Sequence, residues 1–219
     1  MNHLYRSMKE KLILLFLIYN SMNLALFDFD GTITREDSFV RYLKMISKSK
    51  IDFWFKYYLK PIHLWILLKI KVVDYWILKK KRLQIFFNDL TNEEILDSSA
   101  SFQSEVLPLI IRNSAKERIK WHQEQGDEIL IVSATFDFCL NDWCKQAGVN
   151  YICNYIKRQE NNIIFLPNNL DCNFYEKVNR VKSSINLEQY SLIYAYGDSS
   201  GDRDMLAIAN QPFFKLFND

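Results

Sequence analysis

The sequence predicts an α/β protein: a parallel sheet flanked by helices, interrupted by a long helical insert. Three observations carry this. Apolar strand-like runs alternate with helix-like segments, the pattern of parallel strands joined by crossover helices. Three of those runs stop at polar residues: "LALF" before Asp28, "EILIV" before Ser133 and "SLIYAYG" before Asp198. Between the first and second runs, residues 37–105 contain no glycine and read as helix throughout.

In chain order, Leu24 to Phe27 reads as a buried strand and "DFDGT" follows it directly. The period of two places Asp28 and Asp30 on one side and Phe29 on the other. Inside the helical insert, Pro61 is expected to break or kink the chain. "LIIRNSAKERIKWHQEQG" reads as a helix with Gly126 as its C-terminal stop. Glu128 to Thr135 is a second buried strand ending in small hydroxyl residues, and Phe136 to Ala147 is a helix stopped by Gly148. "YICNYIKRQ" and "NNIIFL" read as paired strands, "FYEKVNRVKSSI" as a helix, "SLIYAYGDSSGD" as a third apolar strand running into acids, and "DMLAIAN" as the start of another helix.

The chain has 219 residues, 49% of them hydrophobic, enough for one sizeable core or a core with a smaller insert. A net charge of +2 is too mild to argue for a nucleic-acid partner. The charge is uneven, however. Residues 36–90 hold twelve Lys/Arg against five Asp/Glu, so a basic, aromatic-rich insert sits in an acidic body. The four cysteines form no CxxC pair and no zinc-type spacing, which reads as reduced thiols in a cytoplasmic protein. Residues 1–21 run from basic to apolar ("LILLFLIY"), the outline of a signal peptide, but no small-x-small cleavage site follows. The run is too short to span a bilayer. The expectation is a natural start at Met22 or an incidental extension, with a secretion signal as the alternative.

Two carboxylates at the mouth of a buried strand repel each other unless a cation or a shared proton relieves them. In open α/β sheets the carboxyl ends of the strands form the ligand crevice. Taken singly, "DFDGT" is an ordinary turn, "GDSSGD" an ordinary loop and Lys177 an ordinary exposed lysine. Taken together, in order and each after the right element, they make those ordinary readings improbable.

At these residues the sequence resembles the haloacid dehalogenase superfamily, subfamily IB, in the branch that contains phosphoserine phosphatase. The resemblance covers Met22 to Phe217, with "DFDGT", "VSAT", "EKV" and "YGDSSGDRDML" as its four motifs. It implies a Rossmann-like core over residues 22–36 and 106–219 with a helical cap over residues 37–105. It also implies a Mg2+-dependent phosphatase in which Asp28 is the nucleophile and Asp30 the general acid and base. Asp28, the Asp30 backbone carbonyl and Asp198 would hold the metal, with Asp202 in support. Gly31, Thr32, Ser133, Ala134 and Lys177 would cradle the phosphoryl group. Relatives often carry a glycine just ahead of the lysine motif, where this chain has Phe174 and Tyr175, so the loop into Lys177 is expected to differ.

The substrate is less legible. Asp37 falls where phosphoserine phosphatase carries an acid that contacts the substrate amine, but an acid at a helix start is also an ordinary preference. Ile51 to Leu83 is unusually aromatic and basic. One reading is a cap packed on itself with its lysines facing water. The other is a membrane-surface helix, with Trp and Tyr at headgroup depth. The expected substrate is a small soluble phosphate ester such as phosphoserine. The alternative is a lipid phosphate of the phosphatidylglycerophosphate type, acted on at the inner membrane surface. A non-catalytic binding protein is disfavoured because every catalytic position is filled.

Overall fold

The computed structural model describes residues 22–159, 162–165 and 170–219; the reading of residues 1–21 lies outside the described residues. Five strands form one parallel sheet in the order β3-β2-β1-β6-β7. They are β1 (Leu24–Phe27), β2 (Glu128–Phe136), β3 (Asn150–Asn154), β6 (Ile193–Gly197) and β7 (Gln211–Phe214). The two remaining strands, β4 (Ile156–Gln159) and β5 (Asn162–Phe165), pair antiparallel as a separate hairpin, as the sequence anticipates. β7 is an addition that the sequence pattern did not show.

The central strands are apolar on both faces, as a sheet covered on both sides requires. Alternation still sorts them. Ala25, Phe27, Ile129, Ile131 and Tyr196 pack into the larger cluster, and Leu24, Leu26, Leu130, Val132 and Ala195 into the smaller one.

The α-helices of five residues or more are α1 (Ser38–Met45), α2 (Lys50–Trp54), α3 (Ile62–Lys69), α4 (Tyr75–Phe87), α5 (Asn92–Ser101), α6 (Asn113–Gln125), α7 (Asn141–Ala147), α8 (Tyr175–Ser184) and α9 (Arg203–Ala207), with one further turn of helix at Leu107–Ile110. Helices α1 to α5 leave β1 and return toward α6 through one junction. There Thr34 bridges Ile111 antiparallel, the Arg35 N–H donates to the Ile110 carbonyl at 2.8 Å, and the Arg112 N–H donates to the Ile33 carbonyl at 2.9 Å. Pro61 separates the wide turn at Phe55–Leu59 from α3, the break expected of it. Gly126 and Gly148 end α6 and α7 in the left-handed region, also as expected.

Two boundaries and one expected exposure differ from the sequence reading. α6 begins at Asn113, because Ile111 is drawn into the bridge with Thr34. β2 continues through Phe136, whose ring is fully buried, so the next helix starts only at Asn141. The lysines of the insert do not all face water. Lys79 and Arg82 of α4 are buried, and Arg82 donates to the Tyr57 carbonyl at 3.2 Å while stacking on the Tyr57 ring at 3.7 Å.

Candidate active site

β1, β2 and β6 are neighbours, and their register brings three chain positions level. Phe27 pairs with Ile131 on one side and with Tyr196 on the other. Continued by one residue, this register sets Asp28 level with Val132 and Gly197, so Ser133 and Asp198 follow immediately after at the carboxyl edge of the sheet. Beyond Phe27 the chain stays extended at Asp28, then turns through Gly31 at φ 86. A Cβ at Gly31 would collide with the Asp198 carboxylate, so glycine is required there on two counts. Phe29 is fully buried and packs edge-on against Trp143 at 5.5 Å. Asp28 and Asp30 both line a cavity on the opposite side, as the period of two anticipates.

Lys177 is the hub. It lies on α8, whose Val178 and Val181 are buried against the sheet, and its own side chain is 1% exposed. Its Nζ donates to Asp28 Oδ1 and, at 2.6 Å, to Asp202 Oδ1. The other Asp202 oxygen accepts from the Asp198 N–H at 3.1 Å, the Ser199 N–H at 2.9 Å and the Ser199 hydroxyl at 2.8 Å. Thr32 Oγ1 is within hydrogen-bond reach of both Asp28 (3.2 Å) and Asp198 (3.3 Å). Asp30 accepts from the Ser38 N–H at 2.8 Å, so the first turn of α1 orients it.

Burial sets the protonation of these acids. It pushes the Asp28 carboxyl up to about 7 against the pull of Lys177. Burial, with Asp37 adding to it, raises Asp30 well above the usual carboxylate range. Asp198 is raised by burial and by Asp202. For Asp202, burial acts upward but the Lys177 ammonium and the Ser199 donors win, holding it below its ordinary value. Lys177 shows the converse balance: burial works against its charge, yet Asp28 and Asp202 outweigh it and raise its pKa.

Among the described residues, Asp28, Asp198 and Asp202 are the one group whose ligand oxygens all lie within 4.8 Å of one another. Three hard oxygen donors with more negative charge than Lys177 alone neutralises fit a small divalent cation such as magnesium. These three are also metal candidates of the sequence; Asp30 stands beside them through its turn.

The cavity holds about 160 Å3 and is lined by Asp28, Asp30, Asp37, Ser133, Ala134 and Lys177 among others. Gly31, Thr32 and Asp198 are not among its walls; they line a separate, narrow crevice with Phe213 and Phe217. Ser133 is fully buried and its Oγ accepts the Thr135 N–H at 3.0 Å. Asp37 caps α1, accepting the Val40 N–H at 2.8 Å as the helix-start reading expects, and it also lines the cavity. The loop into Lys177 keeps a glycine-like backbone without glycine: Phe174 has φ 49, a strained value for an aromatic residue.

Sequence reasoning missed a second buried cation. Lys79 of α4 lines the cavity, donating to the Ala134 carbonyl at 2.5 Å and to Asp171 Oδ1 at 3.2 Å. The Asn154 amide donates to the same two acceptors at 2.5 and 2.6 Å. No local pattern marks Lys79 out from Lys80 and Lys81; only the helical phase of α4 against the core does.

Residues 25–207 match the model of the haloacid dehalogenase-like hydrolase family, and the chain belongs to that family. Among particular relatives, it is 26% identical over 196 residues to protein CicA of Caulobacter vibrioides, covering 89% of this chain and 86% of that protein. It is 24% identical to a histidinol-phosphatase of Neisseria meningitidis, covering 87% and 88% of the two chains. In structure it resembles a phosphoserine phosphohydrolase-like protein of Francisella tularensis, with a TM-score of 0.60 at 18% identity, covering 88% of this chain and 86% of that one. The last likeness concerns the fold, which is thus the hydrolase fold anticipated from the motifs.

Proposed function

We propose that the chain is a magnesium-dependent phosphomonoester hydrolase working through an aspartyl-phosphate, with a small soluble phosphate ester as substrate. The observation that carries this is the buried Asp28–Lys177–Asp202 chain at the sheet edge, opening onto a cavity shared with Asp30 and Ser133. Family membership and the histidinol-phosphatase relative support the reaction class.

Asp28 attacks phosphorus and forms the acyl phosphate, while the bond to the leaving oxygen breaks. Asp30, whose carboxyl is raised above the usual range by burial and Asp37 and so favoured in its protonated form, gives its proton to that leaving oxygen. Asp30 then takes a proton from the water that cleaves the acyl phosphate, which releases phosphate and restores Asp28. Lys177 offsets charge between nucleophile and phosphoryl group, and Ser133 with the Ala134 N–H binds its oxygens. Asp28, Asp198 and the Asp30 carbonyl would hold the magnesium ion, with Asp202 in support. When bound, it supplies positive charge that lets a phosphate dianion approach a carboxylate.

The cavity of about 160 Å3 leaves room for a phosphate and a small leaving group. A second reading, a lipid phosphate, is favoured by Tyr75, which lines the cavity and begins α4 directly after the exposed segment of the insert. The test is turnover of a panel of phosphomonoesters, soluble and lipid, by wild-type and Asp28→Asn protein with magnesium. No turnover of any ester by the wild type would overturn the proposal.

A further inference from the structure

We propose that the tip of the helical insert, α2 to α3 and the turn after it, is a docking surface for anionic lipid bilayers. It deepens the lipid reading above by naming the surface and its partner, and it stands independently of the phosphatase chemistry.

Helix α3, "IHLWILLK", has no buried side chain at all, although six of its eight residues are Ile, Leu or Trp. Eight residues are too few to hold a helix by propensity. Around it Ile51 is 82% exposed, Ile66 59%, Ile70 62% and Val72 64%, with Trp54 at 60%. Exposing a large aliphatic side chain instead of burying it forgoes about 1.5–3 kcal/mol. A run of them on one tip exceeds what an unpartnered soluble surface ordinarily carries.

The charge at the same tip selects the occupant. A groove of about 680 Å3 beside the patch is lined by Arg41, Lys44 and Lys50 together with Phe53, Trp54 and Tyr58, and no acidic side chain lines it. Glu36 touches Arg41 from outside, at 3.8 Å. Lys60 lies over the Phe55 ring and Lys69 over the Trp65 ring, at 5.8 and 5.3 Å, and so stay at the patch. A second copy of the chain would set this basic face against itself. An anionic leaflet instead attracts each nearby Lys or Arg by about 1 kcal/mol, and Trp and Tyr suit headgroup depth. Among the described residues no helix is long and apolar enough to cross a membrane, so the tip would lie on the bilayer.

The experiment is sedimentation of the full chain with phosphatidylglycerol/phosphatidylcholine vesicles and with pure phosphatidylcholine vesicles, at low and high salt. Binding is expected to the anionic vesicles alone, weakening as salt rises. Ile66→Ser with Ile70→Ser, and separately Lys60→Glu with Lys69→Glu, should each weaken it at least about tenfold, a change of 1.4 kcal/mol. Circular dichroism and aryl phosphate turnover should stay unchanged in both. Absence of binding, equal binding to neutral vesicles, or a dimer in solution that the same substitutions dissolve would each overturn the proposal. So would loss of binding in a chain starting at Met22 while the tip variants still bind, which would assign the contact to residues 1–21. Vesicle binding by a protein inactive on every ester would leave docking intact and sink the phosphatase reading instead.

Discussion

The carboxyl edge of the sheet and the tip of the helical insert treat charge and apolar surface in opposite ways. At the sheet edge, charge is buried and matched: Lys177 is 1% exposed and held by two carboxylates. At the tip, apolar side chains are exposed and basic groups outnumber acidic ones, of which Asp52 is paired to Lys56. The edge is a site that must hold its geometry, because nucleophile and acid act only within hydrogen-bond reach of their targets. The tip makes few demands on geometry and keeps surface in reserve for another phase. Substitutions should therefore hurt at the edge and pass at the tip, and the predictions test that contrast.

The largest effect is expected at Asp28. Asp28→Asn should lower turnover by on the order of 10^3-fold or more while the circular dichroism spectrum stays native, since only a carboxylate forms the acyl phosphate. Near-normal turnover, with deamidation ruled out by mass spectrometry, would remove Asp28 as nucleophile. Chelation with excess EDTA should be as damaging, and Asp198→Ala should weaken magnesium binding more than Asp202→Ala, measured by titration calorimetry. The reverse order would place Asp202, not Asp198, at the metal.

Stability sharpens the comparison directly. Leu26→Ala in β1 should cost about 3 kcal/mol in urea unfolding, the usual price of a large cavity. Ile66→Ser in α3 should cost under about 0.5 kcal/mol, because that side chain has little burial to lose. Comparable costs would mean that α3 packs against something, and the contrast between edge and tip would fail.

Between Leu26→Ala and Ile66→Ser lies the expected loss at Lys79→Met. It leaves the Ala134 carbonyl and Asp171 to Asn154 alone, a cost of about 1–3 kcal/mol. If Ser133 and Ala134 form the proposed phosphate cradle, KM should rise more than kcat falls, and Lys79→Arg should restore part of it. An unchanged KM would make Lys79 a purely structural residue. A small effect of either sign is expected at Phe174→Gly. Relief of the positive φ and the greater freedom of the unfolded chain oppose each other, so the melting free energy should move by under about 1 kcal/mol.

Much of the candidate site was legible before any coordinates. Asp28, Asp30, Ser133, Lys177, Asp198 and Asp202 each lie in or just after an element whose apolar pattern is local, and local patterns survive in a one-dimensional reading. The same holds for the strands β1, β2 and β6, and for the helix stops at Gly126 and Gly148, where chemistry and backbone conformation belong to one residue. What the chain alone left open is everything set by the partners a side chain meets. The strand order that makes β1 the neighbour of both β2 and β6 decides that three separate polar ends form one cluster. The phase of α4 buries Lys79 and Arg82 and leaves other insert lysines in water. Phe174 takes a backbone conformation its residue type disfavours, because the loop before α8 is held at both ends: its N–H donates to the Gly201 carbonyl at 2.9 Å, and α8 is packed on the sheet. Local sequence sets which groups are present and on which element. Burial and register, which sum contacts from distant parts of the chain, set which groups meet and at what charge.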